Sequence, residues 1–388
     1  MKRILPILLI FSLAWLSLSC REEYEPELDA SETGVLIVEG YLDSEGLESE
    51  LRLSRTVPLS SNSKVLPEKG AQISLIGPGG VQYSFQEIGE GRYSFARNLD
   101  ENLEYTLEIF LSNGEKYISD PMKPIVTPPI LDAGYVRDEE GIEVFVNTQG
   151  NQDADDFLWT FEETWIFRPR IRSTYIYRPE IDDVTPRTDE ERIDLCYKSV
   201  GNSGVLLETS SRFEDQVVFR QTITQIPEGD ERMMERYSIL ISQKAIGPQD
   251  VEFWETLKRN SDDLGSIFSP LPSIIRGNIH MEADPDRPVI GQVSLGVVRQ
   301  QRVYIDREDI LPWVSTDDQF DDCFVSADTV FANPSSISNY KNVYTTGAVL
   351  PVVPILQGFA IIGYNSAPRR CVDCTLYADR QRPDFWED

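Results

Sequence analysis

The feature that most restricts the fold is a series of short segments in which polar and apolar residues alternate, each ended by Gly, Pro, Asn or Asp. Successive side chains of an extended strand point to opposite faces, so a period of two gathers the apolar residues on one face of a sheet. The segments cover residues 35–42, 51–55, 71–76, 81–86, 91–95, 105–111 and 116–119. About seven strands at intervals of roughly ten residues predict an antiparallel β-sandwich of immunoglobulin or transthyretin type. We place this domain at residues 34–129.

The rest of the chain is also rich in strand patterns but less regular. Residues 130–388 are predicted to form a larger β-rich domain with one or two helices, so the fold class is mainly β. The clearest helical pattern is 249–258, where Pro248 precedes apolar residues at helical spacing.

One predicted strand carries candidate contact residues. The segment 157–167 alternates so that Trp159, Glu163 and Trp165 share one face. A carboxylate among aromatic rings needs a partner, and a core arginine or a backbone amide is a better expectation than a substrate. We nevertheless keep these three side chains as candidates for contact with a partner or ligand, with the tryptophans exposed.

A basic stretch follows the same strand. Arg168, Arg170 and Arg172 occupy alternate positions and would project from one side of a strand as a basic stripe. Such a stripe could bind an acidic partner or lipopolysaccharide phosphates. The alternative is that these arginines neutralise the chain's own carboxylates, which is the commoner arrangement on protein surfaces.

The first residues indicate export. Residues 1–19 combine a basic start, an apolar run too short to span a bilayer stably, and small residues before Cys20, as in a secretory signal. Lipoprotein signal peptidase requires a cysteine just after the cleavage point, so we predict lipidation of Cys20 and a flexible tether over residues 20–33. The alternatives are an ordinary signal peptide or an N-terminal membrane helix, and Ser17 departs from the usual aliphatic residue of the lipoprotein box.

Composition narrows the partners. The chain has 65 acidic and 36 basic residues and a formal net charge of -29. Nucleic acid is therefore excluded as a partner, because phosphate binding requires a basic surface. We expect the protein to contact the membrane through the N-terminal lipid.

Four cysteines remain after Cys20. An even number in an exported chain indicates disulfides, among Cys196, Cys323, Cys371 and Cys374, and three pairings are possible. The spacing of Cys371 and Cys374 also suits a redox pair or half of a zinc site, which we rank below structural disulfides.

Catalytic and metal-binding patterns are weak. The chain has a single histidine, His280, and no Gly-x-Ser-x-Gly motif, which argues against nucleophilic hydrolysis. We predict no cofactor; calcium is the one ion worth testing, since hard oxygen ligands suit it. Three clusters of side chains could hold a divalent cation. They are His280 with Glu282, Asp284 and Asp286; Asp153, Asp155 and Asp156; and Asp317, Asp318, Asp321 and Asp322. Solvated loops are the simpler interpretation of all three.

Several segments together resemble family 4249 of the domains of unknown function, a family of Bacteroidota outer-membrane lipoproteins. They are residues 36–41, 53–56, 159–165, 268–273, 277–279, 284–291, 371–375 and 383–386, in the order of the family. The chain departs from the family after Cys374, where relatives tend to have a pair of glycines and this chain has Tyr377 and Ala378. Members are often encoded beside TonB-dependent receptors.

The resemblance implies a lipid-anchored outer-membrane protein that faces the cell exterior and assists such a transporter or a related β-barrel without catalysing a reaction. An alternative is a structural subunit of an outer-membrane assembly or secretion machine. A surface hydrolase that uses paired carboxylates, such as Glu162 and Glu163, is the third and least favoured hypothesis.

Overall fold

The computed structural model describes residues 34–57, 66–201, 204–262, 276–313 and 318–387. The predicted signal peptide, Cys20 and the tether lie outside these ranges. The strands are β1 (Leu36–Asp43), β2 (Ser49–Arg55), β3 (Leu66–Pro67), β4 (Gln72–Ile76), β5 (Gln82–Ser84), β6 (Gln86–Gly89), β7 (Arg92–Phe95), β8 (Thr106–Phe110), β9 (Lys116–Ser119), β10 (Ile130–Arg137), β11 (Gly141–Gln149), β12 (Asp156–Phe167), β13 (Tyr175–Arg178), β14 (Asp183–Pro186), β15 (Cys196–Gly201), β16 (Leu206–Thr209), β17 (Val217–Pro227), β18 (Arg236–Ile246), β19 (Ile279–Met281), β20 (Val289–Gly296), β21 (Val298–Asp306), β22 (Thr329–Phe331), β23 (Val349–Gln357) and β24 (Ala360–Pro368). The α-helices of the described residues are α1 (Pro248–Asp262), α2 (Arg307–Ile310) and α3 (Tyr340–Tyr344).

The predicted mainly β fold is confirmed, and the first β-sandwich is built from two sheets. One has the order β20-β1-β2-β7-β6, with β3 also paired to β2, and the other has the order β19-β9-β8-β4-β5. Alternate apolar residues of both sheets meet in one core, in which Val38, Leu53, Leu75 and Leu107 are fully buried. The period of two seen in the sequence is therefore the period of this core.

Two strands of this sandwich come from far along the chain. Strand β20 pairs with β1 in parallel over eight residue pairs, from Leu36 with Val289 to Asp43 with Gly296. Strand β19 extends the other sheet by pairing with β9. The predicted boundary between residues 129 and 130 assigned both strands to the second domain, whereas the structure places them in the first sandwich. A Cβ atom at Gly291 would lie 2.1 Å from the Val38 carbonyl oxygen, so glycine permits this close pairing.

The second sandwich packs the sheet β10-β11-β17 against the sheet β15-β12-β18-β21, to which β16 is added beside β12. Its core contains Val144, Phe157, Trp159, Ile239 and other buried side chains of both sheets. Strand β21 follows β20 after one residue, so the chain passes directly from the first sandwich into the second.

A smaller unit lies at the C-terminal end. It contains the β13–β14 hairpin, the sheet β22-β24-β23 and helix α3. Tyrosine rings form its core: Tyr340, Tyr344 and Tyr364 are buried, with Tyr175 packed against them. Aromatic pairs of this kind stabilise beyond the area that they bury.

Helix α1 confirms the predicted helix and joins the two sandwiches. Its Asp250 is buried and accepts hydrogen bonds from the Ser294 hydroxyl at 2.9 Å and from the Gln292 amide, both on β20. Burial raises the pKa of Asp250 above its usual value. The hydrogen bonds from these polar partners offset part of the free-energy cost of burying the carboxyl group.

Lys244, on β18, lies at the same junction. It lines a cleft of about 440 Å³ between the sandwiches, and its Nζ atom is 5.5 Å from the centre of the Tyr41 ring. Within the described ranges it forms no ion pair with a carboxylate. Burial lowers the pKa of Lys244 to about 8, because the charged form loses its hydration.

We expect Lys244→Met to raise the free energy of unfolding at pH 7 by about 2 kcal/mol. The unfolded lysine holds its proton up to about pH 10.4, whereas the folded one releases it near pH 8. The cost of the buried charge is therefore complete below pH 8 and disappears as the pH rises through the unfolded value. Urea denaturation at pH 7 and at about pH 10.5 measures this. If the variant gained the same unfolding free energy at both pH values, the effect would come from packing and not from the charge of Lys244.

Candidate functional site

The candidate site is an uncharged β-hairpin that the strand patterns of the sequence did not single out. Residues 342–368 contain no Asp, Glu, Lys, Arg or His, although 26% of the whole chain is charged. Strands β23 and β24 form the hairpin, and Gly358 and Phe359 make its turn. Gly358 has a φ of +63°, which a glycine adopts without strain in a two-residue turn. We call residues Val349–Pro368 the apolar hairpin.

One face of the apolar hairpin is exposed. Directly paired residues share a face of a sheet, and the pairs are Leu356 with Ile361, Ile355 with Gly363, and Phe331 of β22 with Gly363. The apolar residues of this outer face are Val353, Ile355, Leu356 and Ile361 of the hairpin, together with Phe331 of the neighbouring β22; the polar Asn365, paired with Val353, lies on the same face nearer the base. Leu356 is 60% exposed, and Phe359 at the turn is 108% exposed. Single exposed apolar residues are ordinary, but a contiguous apolar surface of this kind is typical of an interaction site.

The opposite face holds the hairpin in place. Tyr364 packs against Tyr175 and Tyr340, with ring centres 4.9 and 5.9 Å apart. The Tyr344 and Ser366 hydroxyl oxygens are 2.7 Å apart. The base of the hairpin is thus fixed to the tyrosine core while its turn projects from it.

Proline limits how the hairpin can bind. Strand β23 is an edge strand of its sheet and contains Pro351 and Pro354. Proline lacks the N–H group needed to extend a ladder of hydrogen bonds, so the addition of a foreign strand along this edge is disfavoured. A partner would instead be contacted through side chains of the outer face and the turn.

The predicted contact residues of β12 are buried. Trp159 is fully buried and donates a hydrogen bond from Nε1 to Gln243 Oε1 at 3.0 Å, and Trp165 is also buried. The prediction that these tryptophans are exposed is wrong, because β12 lies in the middle of its sheet between β15 and β18. Their large apolar rings complete the core of the second sandwich instead.

Glu163 is buried with an arginine partner. Its Oε1 accepts hydrogen bonds from Arg232 Nη1 at 2.7 Å and from the Tyr237 hydroxyl at 2.6 Å. Arg232 is held in turn by Asp230, at 2.8 Å from Nη2 to Oδ2. Burial, together with the Glu163 charge, raises the pKa of the Tyr237 hydroxyl above its ordinary value. Because these hydrogen bonds are made to side chains of the protein itself, we assign Glu163 a structural role.

The predicted basic stripe does not form. Strand β12 ends at Phe167, and the arginines follow it in a loop. Arg168 Nη2 donates to Glu235 Oε1 at 3.0 Å, and Arg172 Nε lies 2.8 Å from Asp194 Oδ2. Burial would raise the pKa of Asp194, but Arg192 and Arg172 hold it below its usual value. Two of the three arginines thus neutralise the chain's own carboxylates, and Arg170 is exposed on the loop.

The structure brings no metal-binding cluster together in the described part of the chain. His280 lies on β19, and its Nδ1 is 3.8 Å from Asp120 Oδ1. Glu282 binds Lys116 at 2.9 Å instead of joining His280. Asp317 lies outside the described residues.

The cysteines form two disulfides, Cys196–Cys374 and Cys323–Cys371. Cys371 and Cys374 therefore have different partners, and the redox-pair and zinc interpretations of their spacing are wrong. Both disulfides attach one short segment of the C-terminal region to the rest of the protein.

Comparison with known proteins is informative at the level of sequence. A family model described as "Domain of unknown function (DUF4249)" matches residues 21–302. No curated protein matches the chain. Among solved structures, one similar chain comes from "Complete structure of manganese lipoxygenase of Gaeumannomyces graminis and partial structure of zonadhesin of Komagataella pastoris", with 9% identity and a TM-score of 0.14 over 56% of this chain and 90% of that chain. A TM-score this low carries no argument about fold or function. None of the described helices has the length and hydrophobicity needed to cross a membrane.

Proposed function

This chain belongs to the DUF4249 family, and on that premise we propose that it is a surface-exposed outer-membrane lipoprotein that serves as a non-enzymatic accessory subunit. Its partner is a TonB-dependent transporter or a related outer-membrane barrel. The single observation that carries the proposal is the apolar hairpin, an exposed and uncharged surface on a strongly acidic protein. The signal-like residues 1–19 and Cys20 support the anchorage.

The chemistry of the hairpin favours a protein partner over lipid. The centres of protein interfaces are depleted of charge, as residues 342–368 are. Segments that insert into anionic bilayers carry Lys or Arg beside the apolar residues that insert. Here Lys341 and Arg369 flank the run at the base of the hairpin, and the projecting turn has no basic residue. Phe359, fully exposed on a tight turn, has the shape of an anchor for an apolar pocket.

The double variant Leu356→Ser/Phe359→Ser tests the proposal. Outer membranes of the native cell are gently solubilised, the lipidated protein is captured, and the co-purified proteins are quantified by mass spectrometry. We expect the wild type to retain a transporter barrel and the variant to retain at least about tenfold less of it, because buried aromatic and aliphatic anchors dominate binding energy. The variant should keep its stability within about 0.5 kcal/mol, since both side chains are exposed.

Phe219→Ser provides the matched control. Phe219 is 73% exposed on β17 and lies outside the apolar hairpin. It should leave the yield of the barrel unchanged. Equal yields from the wild type and the hairpin variant would refute docking through the hairpin, and recovery of assembly factors in place of a transporter would favour the structural-subunit alternative.

A further inference from the structure

A cleft of about 1140 Å³ opens beside the base of the apolar hairpin. Its lining includes Tyr177 and Arg187 from the region of the β13–β14 hairpin, Tyr344 and Leu350, and several residues of the segment 369–381. The lining thus combines aromatic and aliphatic side chains with charged groups, which is the usual composition of a small-molecule site.

The charged groups of the cleft give it an excess of positive charge. Arg187, Arg369 and Arg380 line it together with Asp373 and Asp379, in a protein whose formal net charge is -29. The carboxylate of Asp373 is already occupied. Its Oδ2 accepts from Arg369 Nε at 2.7 Å, and its Oδ1 accepts from the Thr375 hydroxyl at 2.6 Å. Asp373 is therefore bonded to Arg369 and Thr375, and it acts on Arg187 through its charge without forming a direct ion pair.

Arg187 is the unusual member of this set. Its Nη1 donates to the Glu191 carbonyl oxygen at 3.2 Å, but its Nε is buried without an acceptor. Among the described residues no carboxylate forms an ion pair with it. Burial lowers the pKa of Arg187, which means that the surroundings disfavour its charge. The charges of Asp373 and Glu191 only partly offset this effect. A desolvated guanidinium with an unbonded Nε and no direct ion pair reduces stability, so its presence requires another explanation.

We propose that this cleft binds a small molecule that carries one carboxylate or phosphate group on an apolar body. The planar guanidinium groups of Arg187 and Arg380 would hold the anionic group, since arginine matches the geometry of both oxyanions. Tyr177, Tyr344 and Leu350 would contact the apolar part. The site does not use the outer face of the apolar hairpin, so it stands independently of the proposed docking.

The lining segment 369–381 is attached to the rest of the protein at several points. The disulfides at Cys371 and Cys374 hold the segment that carries Arg369 and Arg380. Two backbone hydrogen bonds link Asp379 to Tyr197, with N···O distances of 2.6 and 3.0 Å. Preorganisation of this kind lowers the entropic cost of binding.

Isothermal titration calorimetry on the purified protein tests the assignment with phenyl phosphate, benzoate, inorganic phosphate and the neutral benzyl alcohol. We expect phenyl phosphate or benzoate to bind more tightly than benzyl alcohol and inorganic phosphate. The difference between phenyl phosphate and benzoate identifies the preferred oxyanion. No binding of either aromatic anion, or equal binding of inorganic phosphate and phenyl phosphate, would overturn the proposal.

Arg187→Met provides the decisive variant, and Arg302→Met is its matched control. Arg302, on β21, is also partly desolvated and bonds to the Ser238 hydroxyl at 2.8 Å, but it does not line the cleft. Arg187→Met should weaken anion binding at least about tenfold while leaving the melting temperature unchanged or raised. Arg302→Met should bind as the wild type does. Unchanged affinity in Arg187→Met, or a melting temperature lowered by several degrees, would assign Arg187 a purely structural role.

Discussion

The double variant Cys196→Ser/Cys374→Ser is expected to lose about 4 kcal/mol of unfolding free energy. The disulfide joins residues 178 positions apart, so its removal frees the unfolded chain to adopt many more conformations. In the folded state the bridge attaches the C-terminal segment to β15 through Cys196. Urea denaturation of the purified variant measures the loss as a lower transition midpoint.

Removal of the second disulfide provides the comparison. Cys323 and Cys371 are 48 positions apart, and the chain-entropy relation predicts a loss about 1 kcal/mol smaller for Cys323→Ser/Cys371→Ser. If the two double variants were as stable as the wild type, the disulfides would contribute nothing to folding and the C-terminal segment would be held by packing alone.

Glu163→Ala is expected to reduce the unfolding free energy by about 3 kcal/mol. The change removes the oxygen that accepts hydrogen bonds from both Arg232 and Tyr237 in the protein interior. Both donors then lack this acceptor, and the charge of Arg232 loses one of its two carboxylate partners. Thermal or urea denaturation measures the loss, and Glu163→Gln should restore a large part of it because the amide oxygen still accepts hydrogen bonds.

Glu162→Ala is the control for this variant. Glu162 is the neighbouring residue of β12 and is exposed, so its removal should change stability by no more than about 0.5 kcal/mol. Equal losses from the two alanine variants would contradict the role of Glu163 in the buried network. If both variants instead remained stable and abolished a hydrolytic activity of the protein, the carboxylate hydrolase would return as the leading hypothesis.

Local patterns predicted the local structure well. The alternation over residues 51–55 and 71–76 corresponds to β2 and β4, and the helical spacing after Pro248 corresponds to α1. Each of these elements is specified by which of its own residues face the core. Strand pairing could not be predicted in this way. The parallel pairing of β1 with β20 joins residues about 250 positions apart, and the sequence pattern of one strand does not indicate which other strand it will pair with.

The candidate site was only partly accessible from the sequence. The absence of charge from residues 342–368 is visible there, yet an apolar run predicts a buried strand equally well. Leu356 and Tyr364 look alike as apolar positions, and only the sheet register shows that one faces solvent and the other the tyrosine core. Trp159 illustrates the reverse error, since the sequence did not reveal that a second sheet covers its face.

The central position of β1 has a mechanical consequence. It is the first strand of the described chain and lies between β20 and β2. Because β1 is hydrogen-bonded along both edges, it can leave the sheet only when its bonds to β20 and to β2 are both broken. The end that we expect to carry the anchor is therefore held to the sheet by two sets of hydrogen bonds at once.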